Sequence, residues 1–169
     1  REGRLTFSDS MEEAVEKGMI IFMAVGTPPK ANGEANLVYV ESVSRDMAKF
    51  MKSYRVVVEK STVPVHTGEW VKRTISLYNQ PKIDFDIVSN PEFLREGTAV
   101  NDFMKPDRIV IGVENERAKK IMSDLYEPFG APILFTDIKS AEIIKHASNS
   151  FLAMKISYIN ALANICEKV

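Results

Sequence analysis

The apolar positions change their spacing in a regular order along the chain. Residues 19–25 form a continuous apolar run of strand length, the pattern of a strand covered on both faces. The segment 37–53 carries Val40, Val43, Met47 and Phe50 or Met51 at helical spacing, with Asn36 placed to cap it. The alternation then repeats: strand 55–59, loop 60–64, helix 67–78, strand 85–88, loop 89–97, strand 108–113, helix 116–126 and strand 132–136. Ahead of it all, Asp9 to Glu13 opens a short helix with acidic residues in its first turn, and Gly18 closes it. Asp137 is placed to cap a last helix with Ile143, Ile144, Phe151, Leu152, Ile156, Ile159 and Leu162 at helical spacing and no Gly or Pro to stop it. That helix is on the order of 30 residues and so about 45 Å long, a length suited to linking or pairing domains.

Strands joined by crossover helices predict an α/β fold: part of a doubly wound, Rossmann-like parallel sheet, followed by the long linking helix. Residues 1–137 then form one layered unit and 138–169 the linking helix. In such a sheet ligands sit at the C-terminal ends of the strands, so the loops that could bind one are fixed in advance.

Composition narrows the picture by exclusion. Lys plus Arg (22) nearly balances Asp plus Glu (23), with no run of like charge, which leaves no electrostatic footprint for nucleic acid or an acidic membrane surface. The lone cysteine, Cys166, has no internal partner, and with two separated histidines it offers no metal-ligand spacing. A reducing, cytoplasmic setting and no metal are the expectations. No apolar run approaches the roughly 20 residues of a membrane span. The chain begins at Arg1 and still reads as helix at Val169, so an internal segment of a longer protein is expected.

Three strand-end loops and the last helix hold the unusual polar residues. Val25, Gly26, Thr27, Pro28 and Pro29 put a glycine and a hydroxyl where backbone can approach a ligand closely, although an ordinary turn has the same composition. Lys60-Ser61-Thr62-Val63-Pro64 offers two hydroxyls ahead of a helix, for a phosphate, a ribose or a water, or simply for capping. Asn90 to Gly97 reads NPEFLREG, two carboxylates four apart with an arginine between them, which serves proton transfer and hydroxyl binding or forms a solvated turn. Within it Phe93 and Leu94 read as packing groups. Lys145 and Asn149 are four apart and share a helix face. Alone, that pattern favours a surface lysine whose stem packs while its ammonium reaches water; the alternative is a buried lysine that an oxyanion would satisfy. His66 and His146 read as structural, and Cys166, 21 residues beyond Lys145 and so on the order of 30 Å along a continuous helix, reads as packing.

In their order these segments resemble the UDP-glucose/GDP-mannose 6-dehydrogenase family over essentially the whole chain. FMAVGTPPKANGEANLVYVESV, EKSTVPVHTGEW, SNPEFLREGTAVNDFMKPDRIVIG and EIIKHASNSFLAMKISYINALANICE follow its successive signatures, and NPEFLREG with KPDRIVIG is closer to the UDP-glucose branch. The resemblance implies a double oxidation of a nucleotide sugar at C6 with NAD, through an aldehyde and a cysteine thioester, with UDP-glucose as the substrate. It implies that Val25, Gly26, Thr27, Pro28, Pro29, Ser61, Thr62, Val63 and Glu96 line the cofactor site. Glu92, Phe93, Leu94, Arg95, Glu96, Lys145 and Asn149 would contact substrate. Glu92 would act as acid and base, Thr62 would help place a hydrolytic water, and Lys145 with Asn149 would stabilise oxygen anions. It further implies a homodimer or higher oligomer formed through the long helix and a central domain outside this chain.

The chain also departs from that pattern. It contains no GxGxxG turn, and Cys166 resembles a non-catalytic cysteine rather than the nucleophile, so these residues alone are expected to be inactive. His66 and Asn36 stand where smaller or acidic residues are expected. Two other readings remain open at the level of sequence: another β-hydroxyacid-type dehydrogenase, which can also carry Lys and Asn four apart, and a non-catalytic module that assembles through its last helix.

Overall fold

The computed structural model describes residues 3–80 and 82–169. Its elements follow in chain order as α1 (Met11–Lys17), β1 (Ile20–Met23), α2 (Val38–Phe50), β2 (Arg55–Glu59), α3 (Thr67–Tyr78) and β3 (Phe85–Ser89), then α4 (Ala99–Met104), β4 (Ile109–Gly112), α5 (Glu116–Tyr126), β5 (Ile133–Thr136) and α6 (Ile138–Cys166). Caps explain several boundaries. Ser10 accepts from the Glu13 N–H at the start of α1, Asn115 from Ala118 at α5, and Asp137 from Ser140 at α6. Asn36 accepts from the Val38 N–H, just ahead of the helix it was expected to start. The short α4 was not anticipated; its six residues are too few to show a helical period.

The strands form one sheet in the order β1-β2-β3-β4-β5. β1 with β2, β2 with β3, and β4 with β5 are parallel, as the crossover pattern predicts. β3 and β4 are instead antiparallel and meet only at Ser89 and Gly112. The ladder goes no further because Pro91 has no N–H and Asn90 donates its own N–H to the Glu59 carbonyl. The Asn90 side chain replaces the missing rung, its Nδ2 donating to the Val110 carbonyl at 2.9 Å.

Both faces of the sheet are covered. Val57, Ile87 and Met23 pack with Val15, Val40, Met47, Val71 and Ile75 from α1 to α3 on one side. Val56, Val58, Val88, Ile109 and Ile111 pack with Ala118, Met122 and Tyr126 of α5 on the other. β2, between two parallel neighbours, is buried throughout, including Arg55. Arg55 is satisfied by the last turn of α1, donating to the Val15 and Glu16 carbonyls at 2.7 and 3.0 Å. β1 departs from the expectation of a strand covered on both faces. It is the edge strand, α5 packs on β3 and β5 rather than on β1, and Phe22 stays exposed.

The start of α6 rests on β4 and β3. A Cβ on Gly112 would lie 2.7 Å from the Ala141 Cβ and 2.8 Å from the Ile138 Cα, and one on Gly68 would lie 2.6 Å from the Ile138 Cγ2. Only glycine lets β4 and α3 approach the helix this closely. Further along, every residue from 149 to 169 is exposed. Among the described residues, no helix is long and apolar enough to cross a membrane and no cluster of acidic, histidine or cysteine side chains could hold a metal ion.

Gly112→Ala is expected to lower stability by about 1–3 kcal/mol, because the atoms it would strike are backbone and a buried Cβ. Gly26→Ala, whose Cβ would meet nothing within 4 Å, should shift it by less than about 1 kcal/mol. Urea denaturation midpoints of the two variants check the contrast.

Candidate functional site

The loops after β1 and β2 are stitched to each other by their hydroxyls. Thr27 Oγ1 donates to the Thr62 carbonyl at 2.9 Å and Ser61 Oγ to the Val25 carbonyl at 2.8 Å. The first loop is closed further on by a bridge between Pro29 and Ala35 and by the Asn36 N–H donating to the Pro28 carbonyl. Open space lies where a Gly26 side chain would be. Val63 is buried, and its carbonyl accepts from His146 Nε2 of α6 at 2.6 Å, a bond that requires the Nε2–H form of the ring. The structural reading of His146 holds, and its effect is to clamp the second loop to α6.

His66 precedes α3 with φ of 78°, a left-handed conformation that favours glycine. Its N–H and that of Gly68 are held at 2.7 Å by the two oxygens of Glu142, a buried carboxylate on α6. Glu142 thus caps α3 from another element, and burial raises its pKa against the pull of those N–H groups.

The third loop meets α6 at one short contact. Lys145 is 6% exposed, and its Nζ lies 2.9 Å from Glu92 Oε1. The surface-lysine reading is therefore overturned: the first turns of α6 are packed on the sheet, and the ammonium finds its partner 53 residues away in sequence. Glu92 Oε2 accepts from the Leu94 N–H at 2.6 Å. Burial alone would raise the Glu92 pKa, but the Leu94 N–H, Lys145 and then Lys60 outweigh it and hold the carboxyl below its ordinary range. The Phe93 ring lies 5.4 Å from Lys145 Nζ and 4.9 Å from the Arg108 guanidinium, within cation–π reach of both.

Other sequence candidates are not drawn in. The Arg95 guanidinium donates twice to Asp102, at 2.7 and 3.1 Å, and this pair also ties the loop to α4. Leu94 is exposed, as are Glu96 and Asn149, and neither side chain of these last two makes a hydrogen bond among the described residues. A cleft of about 840 Å³ runs past Lys60, Glu92, Phe93 and Arg95 toward Arg108 and Lys155. The loops at 25–29 and 61–63 do not line it.

Two residues that the sequence reading passed over belong to this region. Lys60 is half-buried, and its Nζ donates to Asn90 Oδ1 at 3.2 Å. Burial pushes its pKa down to about 8, against the attraction of Glu92 and with the repulsion of Lys145. Its position just beyond the apolar run Val56 to Val58 was the available signal. Glu59, the last residue of β2, is 1% exposed; one oxygen accepts from the Ser61 N–H at 2.8 Å and the other has no partner among the described residues. Burial pushes it up to about 7, with Glu142 adding repulsion.

A family model described as "UDP-glucose/GDP-mannose dehydrogenase family, NAD binding domain" matches residues 1–130, and the central-domain model of that family matches 139–169. UDP-glucose 6-dehydrogenase TuaD of Bacillus subtilis is 47% identical over 98% of this chain and 36% of its own length. The UDP-glucose 6-dehydrogenase of Rhizobium meliloti is 49% identical over 99% of this chain and 39% of its own. A solved UDP-glucose dehydrogenase from Pyrobaculum islandicum superposes with a TM-score of 0.91 at 46% identity, covering 95% of this chain and 38% of that one. A solved GDP-mannose dehydrogenase from Pseudomonas aeruginosa gives 0.89 at 35%, covering 94% and 38%. The chain thus spans 36–39% of the length of these relatives.

A raised folded-state pKa makes the Glu59 contribution to stability fully present below pH 4.5 and lost as pH rises through about 7. Glu59→Gln should remove that part of the decline, gaining on the wild type by on the order of 3 kcal/mol across the window, while the Glu142 part remains. Denaturant midpoints measured at successive pH values check this. Separately, Lys145→Met should raise the Glu92 pKa, read from the carbon-13 shift of its carboxyl during a pH titration.

Proposed function

The chain belongs to the UDP-glucose/GDP-mannose dehydrogenase family, and on that premise we propose that it contributes part of the cofactor site and much of the acid–base site of an NAD-dependent UDP-glucose 6-dehydrogenase. The observation that carries the proposal is the Glu92–Lys145 contact at 2.9 Å, which joins a strand-end carboxylate and a buried ammonium beside a cleft. UDP-glucose is favoured over GDP-mannose because curated UDP-glucose 6-dehydrogenases reach 47–49% identity, against 35% for the solved GDP-mannose enzyme. In this reading residues 1–137 form the later part of the cofactor domain and 138–169 the helix that leads to a central domain. The whole protein acts in the cytoplasm as a dimer or higher oligomer; the exposed apolar residues of α6, such as Phe151 and Ile159, suit such pairing.

The residues present fit one flank of the cofactor. The open face at Gly26 and the stitched loops at Val25–Pro29 and Ser61–Val63 give a rigid edge at the ends of β1 and β2, where a dinucleotide lies in sheets of this kind. NAD, when bound, supplies the hydride acceptor. Glu92, held ionised, takes the proton from the sugar C6 hydroxyl and returns it later. Lys145 offers positive charge to the oxygen as negative charge develops there, which is where a fixed cation in a water-poor site helps most. Asn149 lies one turn further along α6, on the same side, to donate to that oxygen. Thr62 helps place the water that hydrolyses a thioester. Cys166 is exposed at the far end of α6, so the nucleophile is a cysteine outside these residues.

With UDP-glucose and NAD, the full-length protein should yield two NADH per sugar; a count of one, or none, would overturn the proposal. Lys145→Ala in that protein should cut turnover by about 10²–10³-fold, the scale of losing one oxyanion-stabilising group. Unchanged turnover would remove Lys145 from the mechanism.

A further inference from the structure

The chemistry above leaves one half-buried cation without a task. Lys60 lines the same cleft as Glu92, and among the described residues no carboxylate lies within ion-pair distance of its ammonium. Its hydrogen-bond partner, Asn90, is neutral and fixed. Asn90 is 1% exposed; its Oδ1 accepts from Tyr126 OH at 2.5 Å as well as from Lys60, and its Nδ2 donates to Val110. The position of the ammonium is therefore built from β3, β4 and α5 together.

Lys145 has two demands on a single charge. In the structure it pairs with Glu92, whereas the proposed reaction needs it at a substrate oxygen. When it turns to that oxygen, Glu92 loses its nearest counter-charge, and a partly buried carboxylate without one gains a proton and ceases to be a base. The other charged groups near Glu92 are already committed or set apart. Arg95, on the same loop, is bound to Asp102; Arg108, just ahead of β4, lies against the Phe93 ring; Lys105, Asp107 and Lys155 of α6 also line the cleft; Glu96 is exposed. The attraction of Glu92 and the repulsion of Lys145 both act on Lys60, which lines the cleft together with Glu92.

We propose that Lys60 is a positioning residue whose ammonium, held at the cleft wall by Asn90, supplies the positive charge that keeps Glu92 ionised while Lys145 serves the substrate oxygen. The inference rests on the acid–base roles proposed above.

The test uses the full-length protein and Lys60→Gln, which keeps a donor for Asn90 and removes the charge. Its acid limb in the pH dependence of kcat, which reports the substrate complex, should move up by one unit or more. Lys60→Arg should restore the limb at least in part. A limb that stays in place while the wild type turns over UDP-glucose normally would overturn this inference alone, whereas a wild type that does not oxidise UDP-glucose overturns the function first proposed. A second measurement needs no turnover. In a Lys145→Met background, Lys60→Gln should raise the Glu92 carboxyl titration, followed by carbon-13 NMR, by at least one further unit, and an unmoved titration would overturn the role of Lys60. A Lys60→Gln effect confined to melting temperature, with both titrations unmoved, would show a structural role only.

Discussion

The close seating of α6 on two glycines is the constraint from which the rest of the site follows. Gly112 lets the first turn of the helix touch β4, and Gly68 lets it touch the start of α3; a methyl group at either place would strike Ile138 or Ala141. Glu142, within the seated turns, then reaches the N–H groups of His66 and Gly68. One turn later Lys145 is carried to Glu92 and His146 to the Val63 carbonyl. A shift of the helix by the width of a methyl group would break all four contacts at once, since interiors packed to this density do not deform gradually.

The result is two cations acting on one anion. Lys145 and Lys60 both lower the Glu92 pKa, while Glu92 and Lys145 act on Lys60 in opposite senses. A single ion pair taken from water gains little once the desolvation of both partners is counted. Glu92 remains charged because a backbone N–H adds to the two ammonium groups. Beneath the loop, Glu59 and Glu142 are carboxylates raised by burial, each anchored by backbone N–H groups. The strand ends and the helix seated on them therefore carry carboxylates of opposite tendency, Glu92 held ionised beside the cleft and Glu59 and Glu142 inclined to hold protons. Environments that push like groups apart are what acid–base chemistry near neutral pH needs.

The two parts of α6 differ in burial. Its first turns are seated on the sheet, while residues 149–169 are exposed, including Phe151, Met154, Ile156 and Ile159, with Leu152 and Lys155 at the cleft. The match of residues 139–169 to a central-domain model is consistent with a helix that serves two units.

Much of this was legible in the sequence because it depends on local periodicity and capping. The order of the longer strands and helices, the cap at Asp137 and the length of α6 follow from spacing and from which side chains reach their own backbone. The motif residues Glu92 and Lys145 were identifiable as a family pattern. That the two touch was not, because 53 residues separate them and their meeting depends on where a helix docks. Lys60 and Glu59 escaped notice for a related reason: a lysine and a glutamate at a strand end look solvated in sequence, and only the covering of both sheet faces buries them. The antiparallel junction at Ser89 and Gly112 was likewise invisible, since strand direction is set by the path of a loop rather than by composition. The sequence by itself determined the longer elements, the cap of α6 and the candidate chemistry, all of which act over a few residues. The tertiary structure decided which charges face each other and how far each is shielded from water, because those quantities depend on distances between segments remote along the chain.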